Sequence, residues 1–328
     1  MKWIVIAIVV YAIAKGVLRI LIVESDKQAL RDHYGTKFSV DSATLWWKPL
    51  DDDPDAVMIT HCSRADDSDA RFGLILPDQI EGRTVVAIRD FAFAGCDFLT
   101  SLTLPRSVKE IGEGAFASCD ALTEIKASMT NSFFKDEDGV LYSKSGDVLI
   151  AYPAGLAAES FVVPDGVTTI GDSAFSGCSS LSSLTLPEGV TTIGDWAFSG
   201  CESLNSISFP EGLTTIGEFA FSDCESLSSI SLPESVTTIG KCAFLGCSSL
   251  TSIVVSPTNE SYKDLDGVLY SKDGTLLIAY PAGREAESYV VSDGVTTIGK
   301  DAFSGCSSLS SLTLPESVTT IGKDAFSG

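Results

Sequence analysis

The side chains best suited to chemistry are nine cysteines and two histidines. Seven of the cysteines share one phase: Cys96, Cys119, Cys178, Cys201, Cys224, Cys247 and Cys306 each follow an isoleucine by eight residues. A thiolate can ligate metal, cycle redox state or attack a carbonyl, and each use needs a partner group nearby. None is supplied by spacing. There is no Cys-x-x-Cys, and His33 and His61 both precede the regular array. Equivalent cysteines in successive repeats project parallel Cβ vectors, which is poor disulfide geometry. The phase reads as a column of buried free thiols acting as small hydrophobes. Cys62 and Cys242 fall outside it and are the candidates for a reactive pair or odd thiols.

Other chemistries fare no better. No Gly-x-Ser-x-Gly, His-Glu-x-x-His, phosphate loop or dinucleotide fingerprint occurs. Asp136-Glu137-Asp138-Gly139 and Asp264-Leu265-Asp266-Gly267 begin like calcium loops but lack the later spaced ligands and the closing Glu. They read as hairpin turns. The run Asp51-Asp52-Asp53-Pro54-Asp55 reads as a solvated loop. No catalytic residue, cofactor or metal site is therefore assigned. The formal net charge is −22, and the three charges ahead of Glu24 are all positive, so the remainder is more acidic still. Such a body repels phosphate backbones and excludes nucleic acid as the expected partner.

The elements that hold these residues are repeats. Leu181–Leu204 returns as Leu204–Leu227 and Leu227–Leu250, a step of 23 residues. One Ile marks each unit: Ile88, Ile111, Ile170, Ile193, Ile216, Ile239, Ile298 and Ile321. An Ala-Phe pair ends five residues after each. A period of this size marks a solenoid, whose units bury their apolar faces only by stacking. Within a unit, Leu184 and Leu186 face one side of a strand and Ser183 and Thr185 the other. Pro187 ends that strand. Ala197-Phe198 is expected in a short helical or 3-10 turn, closed by Ser199-Gly200. Two gaps of 59 residues, Ile111 to Ile170 and Ile239 to Ile298, hold matching extra segments, 131–155 and 259–283. Each reads as a β-hairpin, with Gly146 or Gly274 supplying positive φ.

Ahead of the array, Trp3–Ala14 is a short apolar run behind Lys2. Residues 1–23 read as a signal peptide, or as an uncleaved membrane anchor over 3–23 with Lys15 and Arg19 snorkelling. An ordinary amphipathic helix retained in the cytoplasm is the third reading. Residues 24–56 carry no repeat and read as an N-terminal linker, with a short helix over Glu24–Tyr34. The solenoid spans 57–328, and 57–87 forms an atypical capping coil. Asn259-Glu260-Ser261 is a glycosylation sequon in a eukaryotic secretory route. The sequence ends at Ala325-Phe326-Ser327-Gly328, part-way through a unit, as expected of a fragment or a truncated frame.

The Leu-x-x-Leu-x-Leu strand and the string Leu-Pro-x-x-Val-Thr-Thr-Ile-Gly-x-x-Ala-Phe-x-Gly-Cys-x-Ser-Leu resemble the BspA-type leucine-rich-repeat family over 57–328. The resemblance implies a right-handed, β-rich superhelix, and an exported or surface-exposed protein that binds other macromolecules. A solenoid's curved sheet is the usual binding face. Its outward residues here are small hydroxyls: Ser183, Thr185, Ser206, Ser208, Ser229, Ser231, Ser311 and Thr313, with Ser101 and Thr103 in an earlier unit. Glu124-Lys126 and Ser252-Val254 break the pattern. The hairpins add larger candidates, among them Tyr142 and Tyr270. The expectation is a secreted or cell-surface, non-enzymatic protein whose partner is a protein or another cell-surface macromolecule, with membrane contact only through 3–23. The alternatives are a passive stalk without a ligand, and an enzyme with its activity in residues 24–87.

Overall fold

The regular repeat closes into a coil because three of its segments each bond to the same segment of the next coil. The first is the strand Ser183–Thr185, which pairs in parallel with Ser160–Val162 on one side and Ser206–Ile207 on the other. Leu184 and Leu186 are buried, while Ser183 and Thr185 are exposed. The second is Thr192–Ile193, paired with Thr169–Ile170 and Thr215–Ile216, so that the marker isoleucines stack. The following Gly194 is required by a close approach: a Cβ there would lie 2.4 Å from Asp172 Oδ1. That carboxylate accepts the Asp195 amide at 2.8 Å.

The third segment is not helical. Trp196, Phe198 and Gly200 donate their amides to the carbonyls of Glu218, Ala220 and Ser222 in the next coil, each at 2.8 Å. Trp196 and Gly200 hold φ of +57° and +72°, which turns alternate amides along the stack and prevents a helical run. The expected helical or 3-10 turn around Ala197-Phe198 is thus a chain of tight turns carrying a third hydrogen-bonded ladder. No helix occurs among the described residues.

Inside the coils, Phe175, Phe198, Phe221 and Phe244 form a column with ring centroids 5.1, 5.1 and 5.9 Å apart. The computed structural model describes residues 35–65 and 69–327. These fall into two bodies, one comprising residues up to 145 with 151–156, the other 146–150 with 157 onward. The proposed leader or anchor at 1–23, the helix expected over Glu24–Tyr34 and His33 lie outside the described residues. Among the described residues no helix is long and apolar enough to cross a membrane.

In the first body, the strands Thr36–Val40 and Ala43–Pro49 form an antiparallel hairpin that continues onto Ala56–Arg64. That strand pairs in parallel with Arg83–Ile88. Residues 36–49 therefore belong to the sheet rather than to a linker, and Trp46 and Trp47 are buried in it. A second sheet, parallel throughout, is made by Phe72–Ile75, Leu99–Leu104 and Glu124–Ala127.

The extra segments contain more than hairpins. In the second body, Tyr262–Leu265 and Val268–Ser271 are joined by Asp266-Gly267 at φ +52° and +74°, a two-residue primed turn. The next strand, Leu276–Ala279, then enters the array: Leu277 pairs with Ile298 and occupies the isoleucine column. Tyr280 donates its amide to Ala302 and stacks on Phe303 at 5.2 Å, occupying the phenylalanine column. Ser288–Val290 supplies the first-ladder strand and pairs with Ser311–Thr313. Each long gap thus hides a complete coil with a hairpin attached.

Candidate functional site

The outward residues of the first-ladder strands lie where alternation places them. In the second body, Ser183, Thr185, Ser206, Ser208, Ser229, Ser231, Ser311 and Thr313 are all exposed. They run in register: Ser183 opposite Ser206, Ser231 opposite Val254, and Thr313 opposite Val290. The hidden coils add residues that the sequence reading missed. Val162 lies opposite Thr185, and Val162 and Val290 are 67% and 68% exposed. In the first body, Ile75 lies opposite Thr103 and is equally exposed. The face is therefore rows of hydroxyls interrupted by exposed β-branched aliphatics. The signal was present, since Phe161-Val162-Val163-Pro164 precedes Leu184-Thr185-Leu186-Pro187 by one 23-residue step.

Tyr142 and Tyr270 do not belong to that surface. Both lie in the core, 2% and 0% exposed. Their strands put them on the face packed beneath the array. The Tyr270 hydroxyl lies 2.6 Å from that of the partly buried Tyr289. Burial raises the Tyr142 phenol, with smaller contributions from Glu137 and Asp138. The exposed apolar side chains near the first hairpin are instead Met129 and Phe133.

The cysteine column is bonded along the stack. Cys119, Cys201, Cys224 and Cys247 donate to the carbonyls of Phe93, Phe175, Phe198 and Phe221 at 3.0–3.2 Å. Cys62 holds the same relation to Cys96 that Phe93 holds to Cys119, so it stands in the phenylalanine position of the coil that precedes the first regular unit. Cys242 donates to Asp301 Oδ2 at 2.8 Å. None of the nine cysteines is in a disulfide. Among the described residues no group of three or more His, Cys, Asp or Glu is placed to hold a metal ion.

Burial pushes the Cys247 and Cys306 thiols up to about 12. Cys242 reaches about 12 through burial and then its bond to Asp301. At pH 8 such a group is thiolate in only about 1 molecule in 10⁴. Native protein is therefore expected to resist alkylation at these three positions, with all nine labelled after denaturation, as read by mass spectrometry. Rapid full labelling of native Cys247 would contradict the burial account. The unfolded thiols ionise first, so stability is expected to fall as pH rises from about 9 to about 12.

Comparison with known proteins follows the same lines. The profile of the BspA type leucine rich repeat region matches in 6 copies, over residues 79–143, 154–265 and 282–328. No curated protein matches the sequence. Among solved structures, the chain is similar to a leucine rich cell surface protein from Faecalibacterium prausnitzii. The identity is 28%, covering 89% of this chain and 73% of that one, with a TM-score of 0.46. A leucine-rich repeat protein from Eubacterium ventriosum is 24% identical over 79% of this chain, with a TM-score of 0.50; this chain spans 65% of its length. The pneumococcal vaccine antigen PcpA is 22% identical over 89% of this chain and 67% of its own, with a TM-score of 0.45. With the profile matching most of the sequence and the coils built as described, the chain belongs to the BspA-type leucine-rich-repeat family.

Proposed function

We propose that this is an exported, cell-surface protein without enzymatic activity, and that its first-ladder strand face binds a protein or another surface macromolecule. The observation that carries the reading is the regular outward field of Ser and Thr with exposed Val162, Val254 and Val290 set into it. Family membership supports it, since proteins of this type are typically surface-exposed binders. Small hydroxyls make adaptable hydrogen bonds, and the exposed valines supply the apolar contacts that polar groups alone lack. The acidic surface disfavours nucleic acid.

The test is flow cytometry of labelled full-length protein on intact cells. Binding is expected to saturate and to weaken at least about tenfold in a Thr185→Lys, Ser208→Lys double variant, each change placing a bulky charge on the face. Circular dichroism of the variant should match the parent. Absence of saturable binding would favour the passive stalk, and undiminished binding by the double variant would move the site off this face.

A further inference from the structure

In the cysteine column each thiol reaches back to the coil before it and meets the residue at the phenylalanine position. Cys119, Cys201 and Cys306 meet Phe93, Phe175 and Tyr280 in this way. An aromatic ring gives a sulfur no covalent partner. The start of the column is different. Cys96 reaches back to Cys62, with its Sγ 3.7 Å from the Cys62 carbonyl oxygen. Two thiols therefore meet at this step, and they come from non-equivalent positions. The parallel Cβ vectors that keep equivalent column cysteines from pairing do not apply to them.

The backbone holds the pair close. The Cys62 amide donates to the Ala92 carbonyl at 2.8 Å and the Cys96 amide to that of Phe93 at 3.1 Å, so both are tied to one tight turn. The two side chains are in the core, 2% and 3% exposed. There the Cys96 thiol hydrogen-bonds the Cys62 thiol, and that bond, followed by burial, raises it well above its ordinary value. A closed coil holds little thiolate, so exchange belongs to folding, before the coil shuts. On its outer side the coil of Cys62 meets the antiparallel strand Ala43–Pro49 instead of another regular unit. A covalent link here secures the stack at the point where repeat-on-repeat packing stops.

We propose that Cys62 and Cys96 form a disulfide when the chain folds in the presence of a disulfide oxidant, stapling the coil that precedes the first regular unit to that unit. One cysteine thiolate attacks a small-molecule disulfide such as glutathione disulfide and releases one thiolate. The other cysteine thiolate attacks the mixed disulfide and releases the second. Two electrons pass to the oxidant, one S–S bond forms for the one that breaks, and the two cysteine protons end on the two leaving thiols. An exported chain meets such oxidants. The test supplies one directly, so its outcome is separate from that of the proposed location.

Full-length protein, reduced and unfolded in guanidinium, is diluted into glutathione disulfide and glutathione at about pH 8. It is then quenched, alkylated in denaturant and digested with trypsin without reduction. Mass spectrometry is expected to find residues 38–64 joined to 90–106 at least about tenfold above any other pair of cysteine peptides. The count of alkylated thiols is expected to fall from nine by two. A sample kept in guanidinium with the same oxidant is expected to show no such preference. In scanning calorimetry, oxidation is expected to raise a transition by about 5–15 °C in the parent and not in Cys62→Ser. Nine alkylated thiols after oxidative refolding, or bridges spread over other pairs, would overturn the proposal. So would an equal share of the Cys62–Cys96 bridge in the sample kept unfolded.

Discussion

Phe198→Ala is expected to lower the stability of the second body by about 4 kcal/mol. The ring is fully buried and stacks on Phe175 and Phe221 at 5.1 Å on either side. Removing it forfeits the transfer energy of the ring and two aromatic contacts. The hole cannot collapse easily, because the backbone around it is pinned by ladders to both neighbouring coils. Most contacts of a coil are with its neighbours, so the damage is local, and denaturation should become less cooperative as well as weaker. Guanidinium unfolding followed by circular dichroism measures both effects. A loss below about 1 kcal/mol would show that the column is not the main apolar support. Phe198→Leu should recover part of the loss, since it refills volume without restoring the stack.

Asn259→Ala is expected to have an effect of similar size, about 3–5 kcal/mol, by a different route. Asn259 is 0% exposed and has every polar atom engaged. Its amide nitrogen donates to the carbonyls of Pro233 and Val236 at 2.9 Å, and its oxygen accepts the amides of Ser261 and Tyr262 at 2.9 and 2.8 Å. Truncation leaves the Val236 carbonyl and the Ser261 and Tyr262 amides without this partner, and the Pro233 carbonyl with only the Val236 amide at 3.4 Å, each a substantial penalty where water cannot replace the bond. Asn259→Asp separates this account from simple loss of volume. It keeps the shape but cannot donate, and sets a carboxylate against two carbonyls, so it should be no better than Ala. An Asp variant as stable as the parent would refute the amide's donor role. The same accounting closes the sequon: the nitrogen that a glycan would need is already bonded inside the fold.

Much of the coil was legible because its columns repeat by residue type. Ile193, Phe198 and Cys201 each recur at one step, and Gly274 and Gly146 hold the positive φ that the hairpins require. The hidden coils escaped notice because Leu277 and Tyr280 replace Ile and Phe, and stand three residues apart rather than five. The tyrosines misled for a related reason. An amphipathic phenol is consistent with surface or core, and only the hairpin's packing sends Tyr270 inward. The third ladder had no signature at all. Its left-handed residues include Trp196, Phe219 and Cys242, types that do not favour that conformation, so the φ is imposed by bonds to the adjacent coil. The strands at 36–49 lacked the repeat, and their role follows from pairing with Ala56–Arg64. On the candidate surface, the hydroxyl rows followed from alternation alone, whereas Val162 and Val290 required the hidden coils.

The stacking of coils through three ladders also dictates a mechanical response. Within the second body the ladder hydrogen bonds point along the direction in which coils are added. A pull applied along that direction loads them in tension, a few at a time, rather than in shear. Coils should peel off one after another at modest force. Each regular coil occupies about 4.8 Å of stack and releases about 80 Å of extended chain. The Phe and Cys columns then re-form the coil when the load falls. A stack built this way lengthens severalfold before its last coil opens, and limits the force that it transmits.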